Sequence, residues 1–267
     1  MKLLVDIGNT RLKWIALQDG LVIKRGHLLH REIDPERWGN RLWGRLRRPS
    51  QIVIANVAGP AVRDALNVWF RQNWAMQANF VRSEVQQFGI SNGYEEPHLL
   101  GVDRWVAMIG CRQLQQCNSV IIDCGTAATI DALRIDGKHL GGVILPGLRL
   151  MHEALYQKTN QIDAQDIGDV VFLGRNTRDC IWGGAVHALA ATLDRVFSYM
   201  AKAMAETHPG TTVAVLTGGN AEALHPYLER EYVLEPDLIF RGLKVIAAPP
   251  SESLSEPLMA NSLNLYP

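Results

Sequence analysis

Two short segments of this 267-residue chain place the same residue types in the same order. LLVDIGNTRLK (Leu3 to Lys13) and VIIDCGTAATID (Val120 to Asp131) each run an apolar strand into an aspartate, any residue, a glycine and then small hydroxyl or amide residues. The two aspartates, Asp6 and Asp123, stand 117 positions apart. A carboxylate at a strand end followed by a tight turn is a way to present backbone N–H groups to phosphate oxygens. Gly8 and Gly125 let the backbone turn and approach closely without a Cβ. Thr10 and Thr126 add hydroxyl donors, and Asp6 and Asp123 are placed to hold a cation or its waters. One such turn carries little weight. A matched pair implies two related half-domains closing on a nucleotide, and so phosphoryl transfer.

The elements that must position these turns also repeat. Strands are expected near 2–7, 11–17 and 21–28, with Asp19-Gly20 turning a hairpin. A helix near 35–46, a β-branched strand at 51–57, a helix over 61–74 and a short strand near 78–82 follow. A loop from Gly89 to Leu100 closes the first half. The second half restarts with strands at 120–124, 127–134 and 138–144, where Asp136-Gly137 turns the hairpin. Helices are expected near 148–156, over 176–205 with Ile181, Ala185, Leu189, Leu193, Phe197 and Met200 on one stripe, and over 236–247. A strand over 211–217 runs into a Gly218-Gly219 turn. Gly183-Gly184 within the long helix marks close approach of another backbone, since each glycine costs ~1 kcal/mol of helix propensity relative to alanine.

Composition narrows the classes. The length fits two compact units, and 47 % hydrophobic with 20 % charged residues is ordinary for a globular protein. Formal net charge is zero, so there is no global field for nucleic acid or an anionic membrane. Arg37 to Arg48 holds five arginines and two tryptophans. The helical spacing of Trp38, Leu42 and Leu46 makes this a solvated helix face rather than a nucleic-acid contact. Asp6 interrupts the position where a signal peptide needs its apolar core, and no apolar run reaches membrane-spanning length. Cys111, Cys117, Cys124 and Cys180 form no CxxC pair, so a reduced, cytoplasmic protein without structural zinc is expected. The eight histidines show no HExxH spacing, and GxxxxGK[ST] is absent, which excludes a P-loop enzyme.

Two β-β-β-α-β-α halves that each open with an Asp-Gly turn resemble the actin-like (ribonuclease H-like) α/β fold, with the nucleotide cleft between duplicated lobes. Residues 1–116 would form the N-terminal lobe, 117–248 the C-terminal lobe, and 249–267, rich in proline and serine, a loose tail. DIGNTRLK, the GVDR of Gly101 to Arg104, DCGTAATID, GGVILPGL (Gly141 to Leu148), GRNT (Gly174 to Thr177) and TGGNA (Thr217 to Ala221) occur in that order. Jointly, over about 1–248, they resemble the type III pantothenate kinases, also described as the Bvg-accessory-factor family.

The resemblance implies ATP-dependent phosphorylation of pantothenate to 4′-phosphopantothenate, the first step of coenzyme A biosynthesis. It places ATP, with Mg²⁺, on Asp6, Ile7, Gly8, Asn9, Thr10, Arg11, Leu12, Lys13 and Thr126. It gives Asp103 the role of general base toward a primary hydroxyl, where the bland reading is a helix N-terminal carboxylate. Gly101, Val102, Asp103 and Arg104 would line the substrate pocket. Arg104 could pair with the substrate carboxylate on chemical grounds. Tyr94 matches a substrate-contacting tyrosine. Asp123 alone would suit Mg²⁺ or water, whereas the family implies a monovalent cation, K⁺ or NH₄⁺, near a subunit interface. Thr177 alone reads as an N-cap; the family makes it a substrate residue reached from the partner subunit of a homodimer. Cys124, beside the phosphate turn without a base, reads as inert. The alternative function is a non-catalytic, nucleotide-binding regulatory protein of the same fold. A sugar kinase of this fold would normally be a longer chain.

Overall fold

The computed structural model describes residues 1–29, 35–156 and 167–249. The tail expected from 249 therefore lies, but for its first residue, outside the described residues. The first half contains β1 (Lys2–Ile7), β2 (Arg11–Gln18), β3 (Leu21–Leu29), α1 (Pro35–Trp43), β4 (Gln51–Asn56), α2 (Pro60–Trp74) and the two-residue β5 (Asn79–Phe80). A small hairpin of β6 (Gln86–Gln87) and β7 (Ile90–Ser91), a 3₁₀ turn at Pro97–Leu99 and α3 (Val102–Leu114) lead onward. The second half contains β8 (Asn118–Cys124), β9 (Ala127–Leu133), β10 (His139–Pro146), α4 (Leu148–Tyr156) and α5 (Thr177–Thr207). It closes with β11 (Thr212–Thr217), α6 (Ala221–Leu224), a 3₁₀ turn at His225–Tyr227, β12 (Val233–Leu234) and α7 (Leu238–Ile246).

The duplication is visible in the topology. One five-stranded sheet runs β3-β2-β1-β4-β5 and the other β10-β9-β8-β11-β12. In each, the central strand pairs antiparallel with the next strand in sequence and parallel with the one that follows a helix. Leu3, Leu4 and Val5 of β1 and Val120, Ile121 and Ile122 of β8 are all buried, because both faces of each central strand are covered. Asp19 (φ 51°) and Gly20 (φ 78°) both adopt the left-handed conformation that a two-residue hairpin turn of this twist requires. At the second hairpin only Gly137 (φ 86°) does so.

Helices cover the sheets in a characteristic order. Trp38 and Trp43 of α1 pack with Trp69, Phe70 and Trp74 of α2 on the outer face of the first sheet. The indole of Trp69 donates to Asn40 Oδ1 at 2.9 Å. Helix α1 stops at Trp43, three residues short of the expected end, as the chain turns at Gly44. Arg37, Arg41, Arg45, Arg47 and Arg48 are all exposed. Helix α5 lays Ala185, Leu189, Leu193 and Phe197 on the outer face of the second sheet. Its Gly183 does meet another backbone at close range, that of Val171 in the same chain, whereas Gly184 faces open space. Only half of the expected glycine contact is therefore made within the chain.

Helices α3 and α7 lie between the two sheets. Val106 of α3 and Phe240 and Leu243 of α7 pack on Leu4, Ile15 and Val53 of the first sheet. Trp105, Met108 and Ile109 pack with Ile121, Leu133 and Val215 of the second. The two helices approach closely because a Cβ at Gly110 would strike the Leu238 backbone and one at Gly242 the Val106 backbone. Lys2 Nζ donates to Ala247 O at 2.6 Å, tying the end of α7 to the first strand. Among the described residues, no helix is long and apolar enough to cross a membrane.

Candidate active site

The two Asp-Gly turns face each other. Asp6 lies in register with Lys13 of β2 and Ala55 of β4, and Asp123 with Thr129 of β9 and Thr217 of β11. The turns close alike: Gly8 N donates to Arg11 O at 3.0 Å, and Gly125 N to Ala127 O at 3.1 Å. Across the gap, the hydroxyls of Thr10 and Thr126 are 2.9 Å apart. Gly218 (φ 97°) crowds the Asp123 turn, where a Cβ would come within 2.5 Å of Cys124 N. Gly219 lies near Arg11 Nη1, so the turn after β11 also borders the cleft. Ile7 and Leu12 are fully buried in the first core, so these two contribute backbone rather than side chains to the turn. Asn9 and Arg11 are exposed.

Electrostatics mark the same place. Burial, and then the charges of Asp123 and Asp103, push Asp6 up to about 7, against the opposing pull of Lys13. Burial and then the charge of Asp103 push Asp123 up to about 6, again opposed by Lys13. Burial also raises Asp103, while the Arg104 backbone N–H and guanidinium act in the opposite sense. Half-buried carboxylates that repel one another are a donor set short of positive charge, which a hydrated cation would supply. Burial and the adjacent Asp123 push the Cys124 thiol up to about 12, so it stays neutral at physiological pH.

Asp103 occupies the first turn of α3. Its Oδ1 accepts from Arg104 N at 2.8 Å, and Gly101 leaves room for that oxygen, since a Cβ there would sit 2.6 Å from it. Val102 packs in the core between α3 and the first sheet. Arg104 is only 5 % exposed. Its Nε donates to Asp131 Oδ2 at 2.9 Å and its Nη2 to Asp131 Oδ1 at 2.5 Å. Its remaining nitrogen, Nη1, donates to the Tyr94 hydroxyl oxygen at 2.5 Å. The carboxylate that pairs with Arg104 thus comes from this chain's own β9. Sequence reasoning assigned Asp131 no role, and neither did it single out His139, whose Nε2 lies 2.9 Å from Asp131 Oδ1.

Thr177 is the first residue of α5, not its N-cap. Asn176 holds that position and accepts from Asp179 N at 2.9 Å. Asparagine is at least as good a cap as threonine, which leaves the Thr177 side chain exposed. Val171, Phe172 and Leu173, which precede it in the chain, are exposed apolar residues, with Val171 against Gly183 and Phe172 against His187 of α5. Among the described residues no group of three or more His, Cys, Asp or Glu side chains converges on a single metal position. A cleft of about 590 Å³ adjoins the Gly101–Arg104 turn, lined by Asn56, Arg82, Ser83, His98 and Gly101 among others.

Two like-ordered sheets, each delivering an aspartate and a threonine turn to the gap between them, define the actin-like fold class. The solved structures agree on the fold. A Campylobacter jejuni protein named as a Baf family transcriptional activator superposes with a TM-score of 0.59 at 20 % identity, over 91 % of this chain and 96 % of that one. A Sinorhizobium meliloti protein named as a 2-dehydro-3-deoxygalactonokinase does so with 0.52 at 11 % identity, over 92 % and 98 %.

Within that class the chain belongs to the type III pantothenate kinase family, whose model matches residues 2–199. It is 36 % identical to the type III pantothenate kinase of Nitrosococcus oceani, over 92 % of this chain and 94 % of that one. It is 35 % identical to that of Alcanivorax borkumensis, over 93 % and 99 %.

Proposed function

We propose that the protein transfers the γ-phosphoryl group of ATP to the primary hydroxyl of pantothenate, forming 4′-phosphopantothenate and ADP in the first step of coenzyme A biosynthesis. The observation that carries this reading is the placement of three half-buried carboxylates, Asp6, Asp103 and Asp123, each with raised proton affinity, about the Asp-Gly turns that the Thr10–Thr126 contact joins. Family membership supplies the substrate.

In this reading residues 1–116 and 117–248 act as two lobes that hold ATP between the turns. Gly8, Asn9, Thr10, Arg11, Lys13 and Thr126 supply donors to the phosphates. Asp6 would hold hydrated Mg²⁺, which when bound neutralises charge on the phosphates; Asp123 would hold a monovalent cation such as K⁺. Catalysis on this side is positioning and charge neutralisation. Asp103 accepts the hydroxyl proton as that oxygen attacks phosphorus. Burial moves its proton affinity upward, toward the range in which a carboxylate works as a base near neutral pH. Tyr94 and the Gly101–Arg104 turn hold pantothenate.

Among the described residues Thr177 makes no side-chain hydrogen bond, and the exposed Val171, Phe172 and Leu173 precede it in the chain. This supports a homodimer in which Thr177 serves the partner subunit's substrate. A coupled ADP-release assay with pantothenate, with and without K⁺, tests the reading: ADP release should depend on pantothenate and rise with K⁺. Pantothenate-independent or absent ADP release would instead favour the nucleotide-binding regulatory reading.

A further inference from the structure

We propose that Asp131 and His139 are positioning residues for the acceptor substrate, fixing Tyr94 as a hydrogen-bond donor through a closed loop of contacts that is buried at Asp131 and part-buried at Gly93 and Tyr94. This rests on the assignment of Tyr94 and the Gly101–Arg104 turn to pantothenate. The contacts run from one loop residue to the next. Gly93 N–H donates to His139 Nδ1 at 3.4 Å. With Nδ1 accepting, the ring proton sits on Nε2 and is donated to Asp131 Oδ1 at 2.9 Å. Asp131 accepts both teeth of the Arg104 fork, and Arg104 Nη1 donates to the Tyr94 oxygen. The chain leaves the loop at Gly93 and returns to it at Tyr94.

Three consequences follow from the chemistry of these groups. Arg104 and Asp131 cancel each other's charge in a site where their side chains are 5 % and 3 % exposed, so Arg104 does not present a bare cation to an anionic ligand. The Tyr94 oxygen already accepts from Arg104, which leaves its own proton to be given outward and strengthens it as a donor. His139, fully buried, also stacks on the Tyr94 ring with centroids 6.1 Å apart, restricting the ring's tilt. The surroundings admit nothing larger: a Cβ at Gly142 would lie 2.5 Å from Asp131 Oδ1 and 2.6 Å from Arg104 Nη2. The loop is held to the second half independently by Ser91 N donating to Gly137 O at 3.0 Å. Loss of the dyad would therefore free the Tyr94 hydroxyl without detaching the whole loop.

The test uses the full-length protein and the variants Asp131→Asn, His139→Leu, His139→Gln and Tyr94→Phe, with KM measured for each substrate. Asp131→Asn and His139→Leu should raise KM for pantothenate about tenfold or more and leave KM for ATP within about twofold. His139→Gln should recover most of that loss, because its amide still donates to Asp131. His139→Leu added to Tyr94→Phe should cost little beyond Tyr94→Phe alone, as expected of residues acting in one chain. Equal changes in both KM values, an unchanged pantothenate KM, or full additivity would overturn the proposal. Should Asp131→Asn fail to fold, the His139 and Tyr94 variants decide. Amide exchange at Gly93, which needs no turnover, should accelerate in His139→Leu. Unchanged protection there would overturn the relay even if the substrate assignment stands, whereas absent wild-type turnover with normal Gly93 exchange would strike the assignment alone.

Discussion

The hydroxyls of Thr10 and Thr126, one from each half of the duplication, are 2.9 Å apart and join the two Asp-Gly turns across the cleft. Either oxygen can donate, so the contact survives rotation of one hydroxyl, yet both groups are also the donors that phosphate oxygens would claim. A nucleotide bound between the turns, as proposed, would exchange this bond for bonds to itself. Mg·ATP or an unreactive analogue should shift the amide resonances of both turns together. A shift in one turn only would contradict the two-lobed clamp.

Asp103→Asn keeps the size of the side chain and its capacity to accept from Arg104 N, but it removes the proposed base. Turnover should fall by about 10²–10⁴ while binding of ATP and pantothenate stays measurable. Near-normal turnover would show that another group takes the proton.

Asp6 gives a prediction about pH. Its proton affinity is raised in the folded, ligand-free protein, up to about 7, by burial first and then by the Asp123 and Asp103 charges. Between about pH 4, where a carboxylate in the unfolded chain titrates, and about pH 7, the folded state then holds more protons than the unfolded one. Stability must fall as pH rises through that window and stay low above it. Asp6→Asn should flatten the slope and stabilise the ligand-free protein at pH 8 by on the order of 1–3 kcal/mol, while impairing Mg·ATP use far more than pantothenate binding. Denaturant unfolding at pH 5 and pH 8 measures the first part. A variant less stable than wild type at pH 8 would mean that Asp6 is held by partners rather than strained by its neighbours.

Much of this architecture was legible in the sequence, for reasons that are local. The central strands announce themselves as apolar runs, β-branched in β8 and leucine-rich in β1, and Asp19-Gly20 supplies the left-handed residues its turn demands. The long helix shows its apolar stripe, although the cap falls on Asn176 rather than Thr177. Contacts made between distant segments left no such trace. Nothing near Arg104 signals that its partner lies on β9, 27 residues away. Nor does His139 at the start of β10 betray that it faces Asp131, since a β-bulge between His139 and Gly141 shifts the strand's register there. The pairing of α3 with α7 between the sheets was equally hidden, because it depends on Gly110 and Gly242 meeting backbones far along the chain. The short strand expected near 78–82 is there as β5, but the two-residue β12 and the β6–β7 hairpin are too short for periodicity to reveal.

Thr177 and its apolar neighbours lead to a test of assembly. Sedimentation at working concentration should show a dimer. Mixing Asp103→Asn with Thr177→Ala subunits should restore part of the activity that each lacks alone, since hybrid dimers would contain one intact shared site. K⁺ should raise activity and steady the dimer together. A fully active monomer indifferent to K⁺ would overturn both the shared site and the assignment of Asp123.

The most direct test of the central claim is ³¹P NMR of the wild-type protein incubated with Mg·ATP, K⁺ and pantothenate. Loss of the γ-phosphate resonance should be matched one for one by a new phosphate monoester on the pantothenate primary hydroxyl, with ADP as co-product. Appearance of inorganic phosphate without the ester, or ATP bound and left intact, would contradict it.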